Sequence, residues 1–258
     1  MRVLVLGTSH TVCFREALPD LRADFPALDL HVFGLPGGKF AASTLDGSVF
    51  RAIDDAHDVA MEWNGVTEID MAPFDHILMV GERFSFQSVT RMLALHNILE
   101  EPFRDDHPLI STAAAEALID DAVAAQVDGI AARFAADDRI THLPAPYPLA
   151  RSWKQGAGHE RFVTLLSTRS STARWMARFE ASIDVHLAEA GYGFMPQPET
   201  TRHDAFRSRN AFAWPNSGQG AAGKRVDNRH LNTDYARIAF AAYANDFLNM
   251  RPRAAHNT

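Results

Sequence analysis

The chain has 258 residues but is short of cysteine, of positive charge and of long apolar runs. Each shortage removes a class of protein. Cys13 is the single cysteine, which excludes an intramolecular disulfide framework and a cysteine-rich metal site. It reads as a small core residue, the usual fate of a free cysteine. Lys and Arg number 25 against 32 Asp and Glu, a net charge of −7, and no basic run offers nucleic acid a local surface. No stretch approaches the roughly 18 consecutive apolar residues of a membrane helix. The N-terminus has a strand pattern and lacks the basic region and apolar core of a signal peptide, so a cytoplasmic protein is expected. The twelve histidines are scattered, with no His-x-x-x-His helix face, so no metal site is expected. What the chain does have, 47% hydrophobic and 22% charged residues, is ordinary for a globular protein and suits one large α/β domain.

Short apolar runs alternate with longer helical patterns, as in βαβ units around a parallel sheet. The strand candidates are Arg2–Leu6, Leu28–Phe33, His76–Val80, Ile140–Ala145 and Tyr192–Met195. Helices are expected at about Val12–Ala23, Thr44–Trp63, Ser85–Leu99, Thr112–Phe134, Ser171–Ala190 and Asp234–Leu248. Ser111 or Thr112 with Glu116 would open the fourth of these. Arg151–His159 and Thr200–Arg229 read as irregular, and residues 251–258 as a disordered tail. Trp175 and Phe179 fall at core spacing, which leaves Arg169, Arg174 and Arg178 as a solvated face. There is no internal repeat, and one domain spanning 1–258 is expected.

Ligands of an open parallel sheet bind beyond the carboxyl ends of its strands, so the residues delivered there carry the functional signal. The first strand delivers Gly7-Thr8-Ser9-His10. The second delivers Gly34-Leu35-Pro36-Gly37-Gly38-Lys39, the third Gly81-Glu82-Arg83. Ahead of the last helix stands "VDNRHLNTDYA", with Asp227 three residues before His230. A serine hydroxyl is a weak nucleophile until an imidazole takes its proton and a carboxylate fixes the imidazole tautomer. Ser9, His230 and Asp227 are the residue types that this chemistry needs.

In that order and at those intervals the blocks resemble the SGNH (GDSL-like) hydrolase family over nearly the full chain. "DNRHLNTDYA" is the most specific part; the start is Gly7-Thr8-Ser9 where the family has Gly-Asp-Ser. The resemblance implies a flavodoxin-like three-layer α/β/α sandwich with a mostly parallel five-stranded sheet. It implies Ser9 as nucleophile, His230 as base and Asp227 as its orienting partner. It places an oxyanion hole at the N–H groups of Ser9 and Gly38, with Gly37 close behind, and at a third position after the third strand. There the family's Asn is replaced by Arg83, which puts ordinary esterase activity in doubt. The implied activity is hydrolysis or transfer of a small acyl ester, with an acylated sugar or polysaccharide as substrate and no cofactor.

Other readings of the same residues stay open. Ser9 could serve only as a helix N-cap, and His10 reads as a surface or supporting residue, not a base. Arg83 could donate to an oxyanion, bind an anionic group, or pair with Glu82 or Asp75. "GLPGGKF" fails as a phosphate loop, because Phe40 follows Lys39 where a hydroxyl is needed. The rival from another class is a non-catalytic binding module on the same fold, with Arg83 and Lys39 gripping an anionic glycan or other acidic ligand.

Overall fold

The computed structural model describes residues 1–103, 106–150, 159–214 and 229–253. Five short strands form the central sheet: β1 (Arg2–Gly7), β2 (Asp29–Gly34), β3 (His76–Val80), β4 (Ile140–Leu143) and β5 (Gly193–Phe194). All four pairings are parallel, and the spatial order is β2-β1-β3-β4-β5. This is the flavodoxin-like order, in which the chain reverses direction across the sheet between β1 and β3. Each expected strand is present, with bounds shifted by at most two residues at either end.

Alternation along the strands divides the core into two layers. Val3, Val5, Leu78, Val80 and Leu143 face one side. There they meet α1 (Val12–Glu16), α2 (Leu18–Asp24) and, last in the chain, α9 (Thr233–Phe247). Leu4, Leu6, Phe33, Ile77, Met79 and Ile140 face the other side. That layer is built from α3 (Gly37–Ala42), α4 (Ala56–Asn64), α5 (Phe86–Leu95), α6 (Thr112–Phe134), α7 (His159–Ser167) and α8 (Thr172–Glu189). The result is the expected three-layer α/β/α sandwich. Among the described residues no helix is long and apolar enough to cross a membrane.

Several helical expectations need correction. The stretch Thr44–Trp63 is not one helix: Thr44–Asp46 and Val49–Arg51 form an antiparallel hairpin, joined by Glu68–Asp70, and α4 starts only at Ala56. The cause is Gly47, which takes φ +59 in a two-residue turn that a helix cannot hold. The stretch Val12–Ala23 breaks at Ala17, because Pro19 belongs in a first helical turn and has no N–H to continue an earlier helix. The stretch Ser85–Leu99 ends at Leu95, and Asn97–Ile98 pairs with Leu109–Ile110. Helix α6 has the expected bounds, with Ser111 as its cap through a 3.1 Å bond from the Ala114 N–H.

The irregular segments hold more structure than expected. Residues 151–158 lie outside the described residues, but His159 opens α7. Within Thr200–Arg229, Arg202–Asp204 pairs with Arg207–Ser208, and residues 215–228 lie outside the described residues. Arg169 is not solvated: it pairs with Glu101 at 2.5 Å and ties the α7–α8 turn to the end of α5. In the expected tail, the Arg253 N–H donates to the Asp24 carbonyl at 2.8 Å, and residues 254–258 lie outside the described residues.

His142 on β4 is the most buried histidine described, at 1% exposure. Its ring lies edge-on to Phe84 and Tyr192, and neither ring nitrogen has a hydrogen-bond partner among the described residues. Burial lowers its pKa to about 3, so the ring is neutral. Below pH 6.5 the unfolded chain binds a proton there that the folded chain refuses, so stability must fall as pH falls. Replacing His142 by Leu should therefore shrink the stability lost between pH 7 and pH 5 by about 2 kcal/mol. Urea unfolding of both proteins at the two pH values measures this, and parallel losses would show that His142 is not held neutral.

Candidate active site

The chain leaves β1 under tight steric control. Gly7 lies opposite Val80, and a Cβ on Gly7 would stand 2.0 Å from the Val80 carbonyl oxygen, so no larger residue fits. The Thr8 N–H donates to that same oxygen at 3.0 Å. Thr8 is extended, and Ser9–Thr11 forms a single 3-10 turn ahead of α1. Thr8, not Ser9, occupies the cap position, and its side chain makes no cap bond. The Ser9 hydroxyl is therefore not used for capping.

Ser9 Oγ lies 2.8 Å from His230 Nε2. Their chain positions are 221 residues apart, and the backbone at and after His230 is held against the 211–214 segment. The His230 carbonyl accepts the Trp214 N–H at 3.3 Å, and Leu231 forms an antiparallel bridge with Ala213. Asn232 then completes the anchor: its N–H donates to the Phe212 carbonyl, its amide NH2 to the Ala211 carbonyl, and its side-chain oxygen caps α9 at the Tyr235 N–H. Asp227 lies outside the described residues.

The cavity above this pair holds about 210 Å³ and is walled by Trp63, Trp214, Val12, Cys13, Leu231 and His10. Trp63 reaches it from the end of α4, where Asn64 bonds both the N–H and the carbonyl of Gly34 and so fastens α4 to the end of β2. Arg15 lies over the Trp63 ring, 5.3 Å from its centroid. His10 is 7% exposed, and its ring centroid lies 5.0 Å from that of His230.

The remaining expected site residues fall elsewhere. Gly37 and Gly38 are exposed at the start of α3, and neither is among the described residues that line the Ser9 cavity. Lys39 is in an ion pair with Asp55. The cause is that the chain turns into α3 at once after Pro36, toward the start of α4. Arg83 lines an adjoining cleft, which shares His10 as a wall with the Ser9 cavity. The turn that carries it is strained, with Gly81 at φ +101 and Phe84 and Ser85 at +44 and +64. Phe84 is fully buried, which holds that turn in place and leaves Arg83 exposed beside it.

Sequence reasoning missed Trp63, Trp214 and Asn64, because none stands in a motif or near Ser9 in the chain. No protein-family model, curated protein or solved structure matches this chain. Among the described residues no cluster of His, Cys, Asp and Glu could hold a metal ion.

Cys13 lines the Ser9 cavity but is 4% exposed, and its thiol donates to the His10 carbonyl at 3.2 Å. Burial pushes its pKa up to about 12. At pH 8 the native protein should therefore react with a chromogenic disulfide reagent far more slowly than the urea-unfolded chain does. Prompt, stoichiometric labelling of the native protein would show that the thiol reaches solvent through the cavity.

Proposed function

We propose that this chain is a serine hydrolase or acyltransferase acting on a small acyl ester, with Ser9 as nucleophile and His230 as general base. The observation that carries this reading is the 2.8 Å separation of Ser9 Oγ and His230 Nε2, the geometry of a serine made nucleophilic by an imidazole. The position adds support, since it lies beyond the carboxyl end of β1 where the sheet order reverses. On this reading Ser9 Oγ attacks the ester carbonyl carbon while its proton passes to His230 Nε2. Collapse of the tetrahedral adduct breaks the bond to the alcohol oxygen, which leaves with that proton. Water, or an acceptor alcohol, then releases the acyl group by the reverse sequence. The Ser9 backbone N–H is the nearest donor for the oxyanion. Asp227 is proposed to orient His230. An acylated sugar fits the reading as substrate.

The rival, a binding module gripping an acidic ligand with Arg83 and Lys39, is weakened by the pairing of Lys39 with Asp55. Labelling with a fluorophosphonate separates the two readings. Covalent modification is expected at Ser9 in the wild type and none in Ser9→Ala; an unmodified wild type would sink the hydrolase reading. His230→Ala should lower ester turnover about as much as Ser9→Ala, with no further loss in the double variant, because the two groups act as a unit. Additive losses would count against a shared mechanism.

A further inference from the structure

The cleft beside the Ser9 cavity is mostly apolar, formed by Phe86, the Pro144–Pro148 loop and Phe179, with a few polar groups at its edge. Most of these polar groups are already satisfied. The Glu180 carboxylate accepts the Tyr147 hydroxyl at 2.7 Å and pairs with Arg202 at 2.8 Å. Gln197 accepts the Tyr147 N–H and donates to Thr201 and Ser208. Asp75, a candidate partner for Arg83, instead accepts the Arg2 N–H. Arg83 makes no ion pair among the described residues, and a second guanidinium, Arg229, lines the same cleft. Arg83 reaches solvent but is partly covered; that partial burial first, and then the charge of Arg229, lower its pKa, while the Glu82 carboxylate acts the other way. An anion in the cleft beside Arg83 would accept charge-assisted hydrogen bonds from its guanidinium.

The neighbouring cavity has the opposite character. No Lys or Arg is among its described lining residues, and two tryptophans dominate it. A carboxylate in that space would find no cation among the described lining residues to offset its loss of water. His10 is the wall common to both spaces, so a substrate whose carbonyl sits at Ser9 would extend one half into each.

We infer that the substrate is an ester of an anionic alcohol: its uncharged acyl half fills the Trp63–Trp214 cavity, and its alcohol half carries a carboxylate or phosphate held by Arg83. Attack by Ser9 Oγ would leave the neutral acyl group on the enzyme and release the acidic alcohol, protonated on oxygen by His230. The division of the substrate at the ester bond rests on the proposed hydrolase reading. Anion binding at Arg83 does not.

Two measurements test this. The first is calorimetric titration of the wild type, Arg83→Lys and Arg83→Gln with 4-hydroxybenzoate and with 4-hydroxyphenyl phosphate. At least one anion should bind, and Gln should weaken it by about tenfold or more, the size of one charge-assisted hydrogen bond, while Lys retains part of the affinity. The stronger binder of the two tells carboxylate from phosphate. The second is kcat/KM for 4-acetoxybenzoate against its methyl ester, and for phenyl hydrogen succinate against its methyl ester. The wild type should favour the acid in the first pair and disfavour it in the second, and Arg83→Gln should bring the first ratio close to one. Equal affinity of all three proteins for both anions, an unchanged first ratio, or a preference for the succinate acid would overturn the inference while leaving Ser9 hydrolysis standing. Anion binding lost in Arg83→Gln, with no ester turned over by the wild type, would instead remove the hydrolase reading and keep the anion cleft.

Discussion

The backbone leaving β1 runs in contact with the backbone leaving β3, and the site is built on that contact. At Gly7 a methyl group would collide with the Val80 carbonyl, and at Gly81 one would stand 2.1 Å from Thr8 Oγ1 and 3.1 Å from the His10 ring. Gly81 also adopts a left-handed conformation that suits no other residue well. Two glycines at facing strand ends therefore let the Thr8–Thr11 turn lie flat against the β3 exit. Ser9 is held at the edge of the sheet, Arg83 follows on the next loop, and His10 is packed between them. Widening this approach by one methyl group would move the nucleophile and the cationic cleft together.

The same packing separates neutral from charged surroundings over a short distance. Below the site, His142 and Cys13 are buried groups that burial keeps uncharged. Buried charge on the α8 side is paired, Arg169 with Glu101 and Arg202 with Glu180. A paired buried charge costs far less than a lone one, so these ion pairs can stay within the fold. Arg83 differs because its turn is fixed by Phe84 in the core on one side and by the Ala145 N–H bond to the Glu82 carbonyl on the other. Its charge is positioned by backbone, and among the described residues it makes no ion pair, although the Glu82 carboxylate acts on it electrostatically.

How much of this was legible in the sequence depends on whether the signal was local. The strands of the central sheet were legible because branched apolar runs covered on both faces stop at glycine or proline. Helix α6 was legible because its cap and its apolar spacing agree. Ser9 and His230 could be matched because each stands at an element boundary, and the structure brings them into contact. The hairpin at 44–51 was not legible: Leu45, Val49 and Phe50 fit a helical face as well as a strand, and only Gly47 tells them apart. Helix α7 was hidden because its apolar face is completed by α5, far away in the chain. The placement of Gly37 and Gly38 at the start of α3 was not legible for a related reason, since where a loop ends and a helix begins is decided by tertiary contacts such as Lys39 with Asp55.

The walls of the site were the least legible part. Trp63 is carried in by Asn64, whose amide bonds the end of β2 more than it supports its own helix. Trp214 is carried in by the ladder that also fixes His230, so the ring that walls the Ser9 cavity and the imidazole beside Ser9 share one anchor. The positions of Trp214 and His230 are thus coupled through the backbone of 211–214 and 230–232. A substitution at Asn232 would reach both at once, through the cap of α9 and the Ala211 carbonyl, without touching the substrate. The Ser9 turn is a single 3-10 turn with no side-chain cap, so the approach of Ser9 Oγ to His230 Nε2 depends on how that anchor holds the backbone of His230.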